Sequence, residues 1–342
     1  MTRQSDKDKG AILLTTLLIM SMMSALAVAM MDDVRVAILR SKNIQTHAQT
    51  DWYVQAGESF AESYVEKNFL NLSPEQQNAA LARPLFAELP IEGGLMTLVI
   101  SDGTQCLPLS ALQPPPSDGR GQEERPTTFT DAFQRLLEET GMGEIDAANL
   151  TAAIVDWQDG DQQISNGGAE DYSYLGLNPA YRTPNTFFSA VSELRAVQGM
   201  SEELLNMIAP FICAGDPERG GQININTLGP QHLVLLSVLL GDDEDSLASQ
   251  ILKNRPGSGY QDIVQELIDA EIEAEKVNAQ NFVYAPRYLW IEVDIEFQEA
   301  RRTVLLEFKI DSDALTRTYR HYGTEGRRPI PLDKPEEKQI NE

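Results

Sequence analysis

Residues 11–31, AILLTTLLIMSMMSALAVAMM, contain no charged side chain. At 1.5 Å rise per residue, a helix of this length spans about 30 Å, the thickness of a bilayer's hydrocarbon core. Arg3, Lys7 and Lys9 precede the run. Basic residues beside a first apolar helix favour keeping that end in the cytoplasm. The segment therefore reads as a single membrane span, with the body of the chain on the outer side.

Two ways of processing this segment compete. A secretory signal peptide would be cut after Ala27-Val28-Ala29, a small-x-small pattern. However, the apolar run is longer than an ordinary signal core and begins directly after Lys9-Gly10. The other reading cuts between Gly10 and Ala11, ahead of the apolar run, and keeps the helix. A short charged leader ending in Gly before such a helix resembles the class III signal of type IV pilins and type II secretion pseudopilins. Most members of that superfamily carry Glu at the fifth position after the cut, a charge costly in a bilayer unless paired. Here that position is Thr15. Loss of this Glu resembles one branch, the K-type minor pseudopilins of the general secretion pathway.

The resemblance implies that a prepilin peptidase cuts after Gly10 and methylates Ala11. It also implies that the helix packs beside the I- and J-type minor pseudopilins at the tip of a periplasmic pseudopilus. The major pseudopilin lies below, and the secretin or cargo are further contacts. The implied role is mechanical: initiating or capping the fibre during export of folded proteins. The implied location is the bacterial inner membrane, single-pass, with the body in the periplasm.

The body is strongly acidic. Lys and Arg number 27 against 52 Asp and Glu, a formal net charge of −25. Phosphate backbones need a basic surface, so nucleic acid is excluded as a partner. Cys106 and Cys213, the two cysteines, are too distant in sequence for a CxxC motif. In an oxidising compartment they suit one structural disulfide; two unrelated buried thiols are the alternative.

Beyond the span, residues 32–70 hold no Pro and one Gly, and Val54, Ala61, Val65 and Phe69 recur at helical spacing. The anchor is expected to run on as an amphipathic helix, with Ser73-Pro74 ending it or starting a short second one. GLMTLVI at 94–100 predicts a strand. QPPPSDGRGQEERPTT at 113–128 predicts a linker. Helical patterns fill most of 129–283. RYLWIEVDIEF at 287–297 and RRTVLLEFKI at 301–310 predict a strand hairpin, and the tail from about 323 predicts disorder. The expected segments are therefore a leader at 1–10, the span at 11–31, a helix with first strands at 32–112, a helical insert at 113–284, C-terminal strands at 285–322 and the tail. The fold class is α+β: a long N-terminal helix on a small antiparallel sheet, with a large all-α domain inserted between strands. The K-type plan is similar.

One stretch could carry chemistry. Asp156, Asp159, Asp161, Glu170 and Asp171 fall within 16 residues that also hold Gly160, Gly167 and Gly168. Hard oxygen donors on a flexible loop suit Ca²⁺, although the spacing is not an EF-hand; a solvated acidic loop is the plain alternative. The segment is similar to a D-W-x-D-x-D…G-A-E-D stretch of the K-type family, which implies calcium. Asp159, Asp161, Glu170 and Asp171 are the preferred ligands, and Asp156 is a further candidate that could instead cap a helix. At 222–270, Asn224-Ile225-Asn226-Thr227, an apolar run, and Arg255, Gly257 and Gly259 resemble a helix-hairpin-helix or SAM-like unit. Its acidic flank at 241–245 would repel phosphate, so the unit reads as a protein-facing scaffold. Thr227 is expected to cap the following helix, with Pro230 in its first turn.

The three histidines fall in separate segments, and HExxH, P-loop and GxSxG motifs are absent. An enzyme is not expected. Two rivals remain: an exported calcium-binding protein whose signal is removed, and a membrane-tethered hydrolase using acidic residues.

Overall fold

The computed structural model describes residues 5–112, 128–215, 219–241, 246–272, 277–311 and 314–323. The leader residues 1–4, the linker at 113–127, the acidic flank at 242–245 and the tail at 324–342 lie outside the described residues.

Helix α1 runs unbroken from Ser5 to Asn68, about 96 Å at 1.5 Å per residue. Its first half is bare: Leu14, Leu18, Met22 and Met30 are all exposed, and the segment is long and apolar enough to cross a membrane. Its second half buries one stripe. Val54, Ala61, Val65 and Phe69 fall on one face at helical spacing and pack on the sheet. Gly57 lets the helix approach closely, because a Cβ there would meet Val293 Cγ1 at 2.6 Å.

Ser73 starts α2 (Pro74–Leu81) with a capping box completed by Gln76. The chain then forms β1 (Leu85–Ile91) and β2 (Gly94–Asp102). After the insert come β7 (Tyr288–Phe297), β8 (Ala300–Asp311) and β9 (Ala314–Tyr322). All neighbouring strands are antiparallel in the order β1-β2-β7-β8-β9. Strands β2 and β7 pair directly, Asp102 opposite Leu289, so everything between them is inserted at one point in the sheet. The α+β class with a helical insert is what the chain adopts.

Two of these strands escape the sequence pattern. Pro90 masks β1, yet a strand at the sheet edge tolerates proline because one side needs no ladder donor. Strand β9 has no apolar alternation, since it too is an edge strand.

The insert opens with β3 (Leu107–Pro108) and then α3 (Phe129–Glu139), α4 (Glu144–Gln158), α5 (Asp171–Leu175) and α6 (Glu202–Ile208). Next come β4 (Ile212–Cys213), β5 (Ile223–Asn224), α7 (Leu233–Leu240), α8 (Ser246–Lys253), α9 (Ile263–Asp269) and β6 (Phe282–Val283). Within the stretch of helical pattern, Val191–Ala196 forms a 3-10 helix rather than an α-helix. Phe133, Ile154, Leu194, Leu236 and Ile263 lie in one apolar core, separate from the core between α1 and the sheet.

Three contacts fasten the insert to the sheet. Cys106 and Cys213 form a disulfide that packs on Trp290 and Leu305. The outer face of the sheet is therefore wet only in part: Trp290 and Glu307 are covered, whereas Glu296 is exposed. The Arg219 guanidinium pairs with Glu307, donates to the Gly103 carbonyl and lies over the Tyr288 ring. The third contact centres on Asp102. Its Oδ1 accepts from Thr104 N and Thr104 Oγ1, and its Oδ2 accepts from Asn224 Nδ2 and Thr227 Oγ1. Thr227 thus binds Asp102 rather than capping a helix, and Pro230 sits in a 3-10 turn ahead of α7. Four donors satisfy the Asp102 carboxylate, but burial outweighs them and raises its pKa.

Candidate functional site

The acidic stretch begins where α4 ends. Asp156 is on the last turn of α4, fully buried, and its Oδ2 accepts from Ser165 N at 3.1 Å. The loop folds back so tightly that a Cβ on Gly168 would meet that same oxygen at 2.1 Å, so glycine is required there. Asp159 caps the end of α4, and its Oδ1 accepts from Asp161 N. Glu170, almost wholly buried, immediately precedes α5.

This loop brings Asp159, Asp161 and Glu170 together, with one carboxylate oxygen from each within 4.8 Å of the others. Burial raises the Asp159 carboxyl, and the charges of Asp161 and Asp156 add to it. Burial also raises Glu170, against a hydrogen bond from Thr183, with Asp156 and Asp159 repelling it further. Three oxygens around the cluster are buried and have no hydrogen-bond partner: Asp156 Oδ1, Glu170 Oε1 and Asn185 Oδ1. Unpartnered buried oxygens are costly. A hard cation would remove both that cost and the mutual repulsion. The donor set, all oxygen on irregular backbone, fits Ca²⁺.

Asp171 is engaged elsewhere. Its Oδ1 accepts from Thr183 N and Oγ1, and its Oδ2 pairs with Arg182 at 3.0 Å. It ties the loop to the 181–185 segment rather than joining the three clustered carboxylates. That segment carries no acidic or glycine-rich signature of its own. Asn185 donates from Nδ2 to the Asp161 carbonyl at 3.2 Å, and its φ of 49° is one Asn tolerates well. Nothing in the local sequence marks an amide 24 residues from Asp161 as part of the site.

Below the loop, Trp157 stacks on Phe188 and meets Tyr174 edge-on, which holds the end of α4 against α5. In the 222–270 unit, the Arg255 guanidinium donates to the Asn226 and Leu228 carbonyls, and Asn226 donates to Tyr260 O. The one basic residue expected at a hairpin flank is spent holding backbone inside the protein.

The processing and assembly positions all fall on α1. Gly10 and Ala11 lie within its first two turns. The Thr15 hydroxyl donates to the Ile12 carbonyl at 2.9 Å. Its polar group is satisfied inside the helix, so it needs no partner in a bilayer, unlike a carboxylate.

A long helix, apolar enough in its first half to cross a membrane, laid on an antiparallel sheet with a disulfide-fastened helical insert, defines a narrow class of pilin-like chain. A model of the family described as "Type II secretion system (T2SS), protein K" matches residues 105–217. The type II secretion system protein K of Aeromonas hydrophila is 33% identical over 266 residues, covering 75% of this chain and 78% of the relative. That of Klebsiella pneumoniae is 32% identical over 264 residues, with the same coverage. That of Pseudomonas aeruginosa is 26% identical and covers 95% of both chains. Among solved structures, a chain of the GspK–GspI–GspJ complex from enterotoxigenic Escherichia coli superposes with a TM-score of 0.68 at 25% identity. The match covers 83% of this chain and 99% of that one. The chain belongs to the type II secretion system protein K family.

Proposed function

We propose that this chain is the K-type minor pseudopilin at the tip of a periplasmic pseudopilus, where it starts or caps the fibre together with I- and J-type minor pseudopilins. The supporting observation is its likeness to a chain solved in a GspK–GspI–GspJ complex. The prepilin peptidase cuts after Gly10 and methylates Ala11, and α1 stays as the anchor in the inner membrane until the subunit joins the fibre. Thr15 in place of Glu frees the helix from pairing with a neighbour's amine. The insert, wide and rigidly fastened, leaves no room for a further subunit above. Major pseudopilin subunits follow below, and the secretin or cargo meet the tip.

A calcium ion is held by Asp159, Asp161 and Glu170, with Asp156 and Asn185 supplying further oxygens. It fixes the loop between α4 and α5; its contribution is structural.

Co-purification tests the assembly. Tagged chain expressed with I- and J-type pseudopilins should elute with both, and elution alone would overturn the tip reading. Mass spectrometry of the mature N-terminus tests processing. A methylated Ala11 is expected, and a start at Met30 would mean a removed signal peptide.

A further inference from the structure

Away from the acidic loop's carboxylates, the insert carries a cleft of about 600 Å³. The buried Leu150 and Leu204 line it, together with Met142 and the half-exposed Met207. Three of the turns around it pivot on glycines with positive φ: Gly141 at +90°, Gly167 at +84° and Gly199 at +91°. A Cβ on Gly167 would meet Asn149 Oδ1 at 2.0 Å, so the mouth depends on backbone running where a side chain would fill it. The charge at its rim is one-sided. Asp146 and Glu203, both exposed, line the cleft, whereas among the described residues no Lys or Arg does. Among the described residues, neither carboxylate has an ion-pair partner.

Such a lining is made for a long side chain with an apolar stem and a cationic head. Methionine walls adapt to an aliphatic stem, and carboxylates at the rim meet the charge. The field of a body carrying a net charge of −25 draws a cation in. We propose that this cleft is a docking site for an arginine- or lysine-bearing loop of a protein partner, with Asp146 and Glu203 receiving the cationic head. The clustered carboxylates Asp159, Asp161 and Glu170 do not line the cleft, although Gly167 and Ala169 of the same loop do.

The test uses the full chain in detergent micelles with methyl-labelled methionine. The probe is the peptide acetyl-Gly-Leu-Arg-Leu-Gly-amide, and the control is the same peptide with neutral citrulline in place of Arg. The arginine peptide should shift the Met142 and Met207 methyl signals saturably, with at least tenfold tighter binding than the citrulline peptide. The D146N/E203Q variant should lose at least tenfold in affinity while keeping its melting temperature; the single variant E203Q, in the first turn of α6 but not its N-cap, serves if the double variant unfolds. Unshifted Met142 and Met207 signals, equal binding of the two peptides, or unchanged affinity in the folded variant would each overturn the proposal.

Discussion

The Arg219 guanidinium donates to Glu307 Oε2 at 2.6 Å, joining the helical insert to β8 where both side chains are buried. Thr318 Oγ1 donates to the other Glu307 oxygen at 2.8 Å, so the carboxylate is fully engaged. Breaking one partner of such a pair strands the other charge, at a cost of roughly 3–5 kcal/mol. Urea titration of E307Q is expected to show a loss of that size. The double variant R219M/E307L should regain most of it, because it leaves no unpaired charge. A single variant within 1 kcal/mol of wild type would mean water reaches the pair.

Calcium should stabilise the native chain. A ligand that binds only the folded state adds RT ln(1 + [L]/Kd), about 2.7 kcal/mol at a hundredfold excess over Kd. Chelation should therefore lower the thermal midpoint, and E170Q should remove the response. A midpoint indifferent to chelator would identify the loop as a solvated acidic face.

The Cys106–Cys213 bridge closes a loop with a sequence separation of 107 residues. Chain-entropy reasoning assigns a loop near 100 residues about 4.7 kcal/mol, and removing native disulfides typically costs about 2–5 kcal/mol. The C106A/C213A variant should lose stability in that range by denaturant titration. Non-reducing peptide mapping of the wild-type chain should recover the two cysteines in one linked peptide pair.

Gly57 faces Val293 Cγ1, with Met96 Sδ also 3.2 Å from where its Cβ would stand. Gly57→Val should push α1 off the sheet and cost about 1–3 kcal/mol through overpacking. Differential scanning calorimetry should record the loss, and an unchanged midpoint would show that the helix yields freely.

The Tyr174 hydroxyl is fully buried, and burial pushes its pKa from 10.0 up to about 12. Tyr319 is raised to about 12 for the same leading reason. In the unfolded chain a tyrosine ionises near 10, while the native chain keeps the proton until about 12. The unfolded state therefore binds fewer protons in that window, and stability falls as pH rises from 10 to 12. Tyr174→Phe should make the fall shallower in a pH series of urea midpoints; an identical slope would show that Tyr174 titrates normally.

The sequence alone determined the elements that answer to one-dimensional pattern. A charge-free run of this length dictates a helix long and apolar enough to cross a membrane, and its continuation through Val54, Ala61, Val65 and Phe69 follows from helical spacing. The alternation of Ile291, Val293, Ile295 and Phe297 dictates a strand, and the acidic Gly-containing stretch at 156–171 marks a loop where carboxylates gather. Tertiary structure decided what depends on partners distant in sequence. Edge strands β1 and β9 need only one neighbour, so their sequences carry little pattern. Thr227 looked like a helix cap, yet its hydroxyl is taken by Asp102, 125 residues earlier. Asp171 and Asn185 exchange their apparent importance for the same reason: Thr183 and Arg182 claim one, while the fold brings the other against Asp161. Local propensity acts over a few residues, whereas a buried polar group takes whichever partner the packed core places beside it.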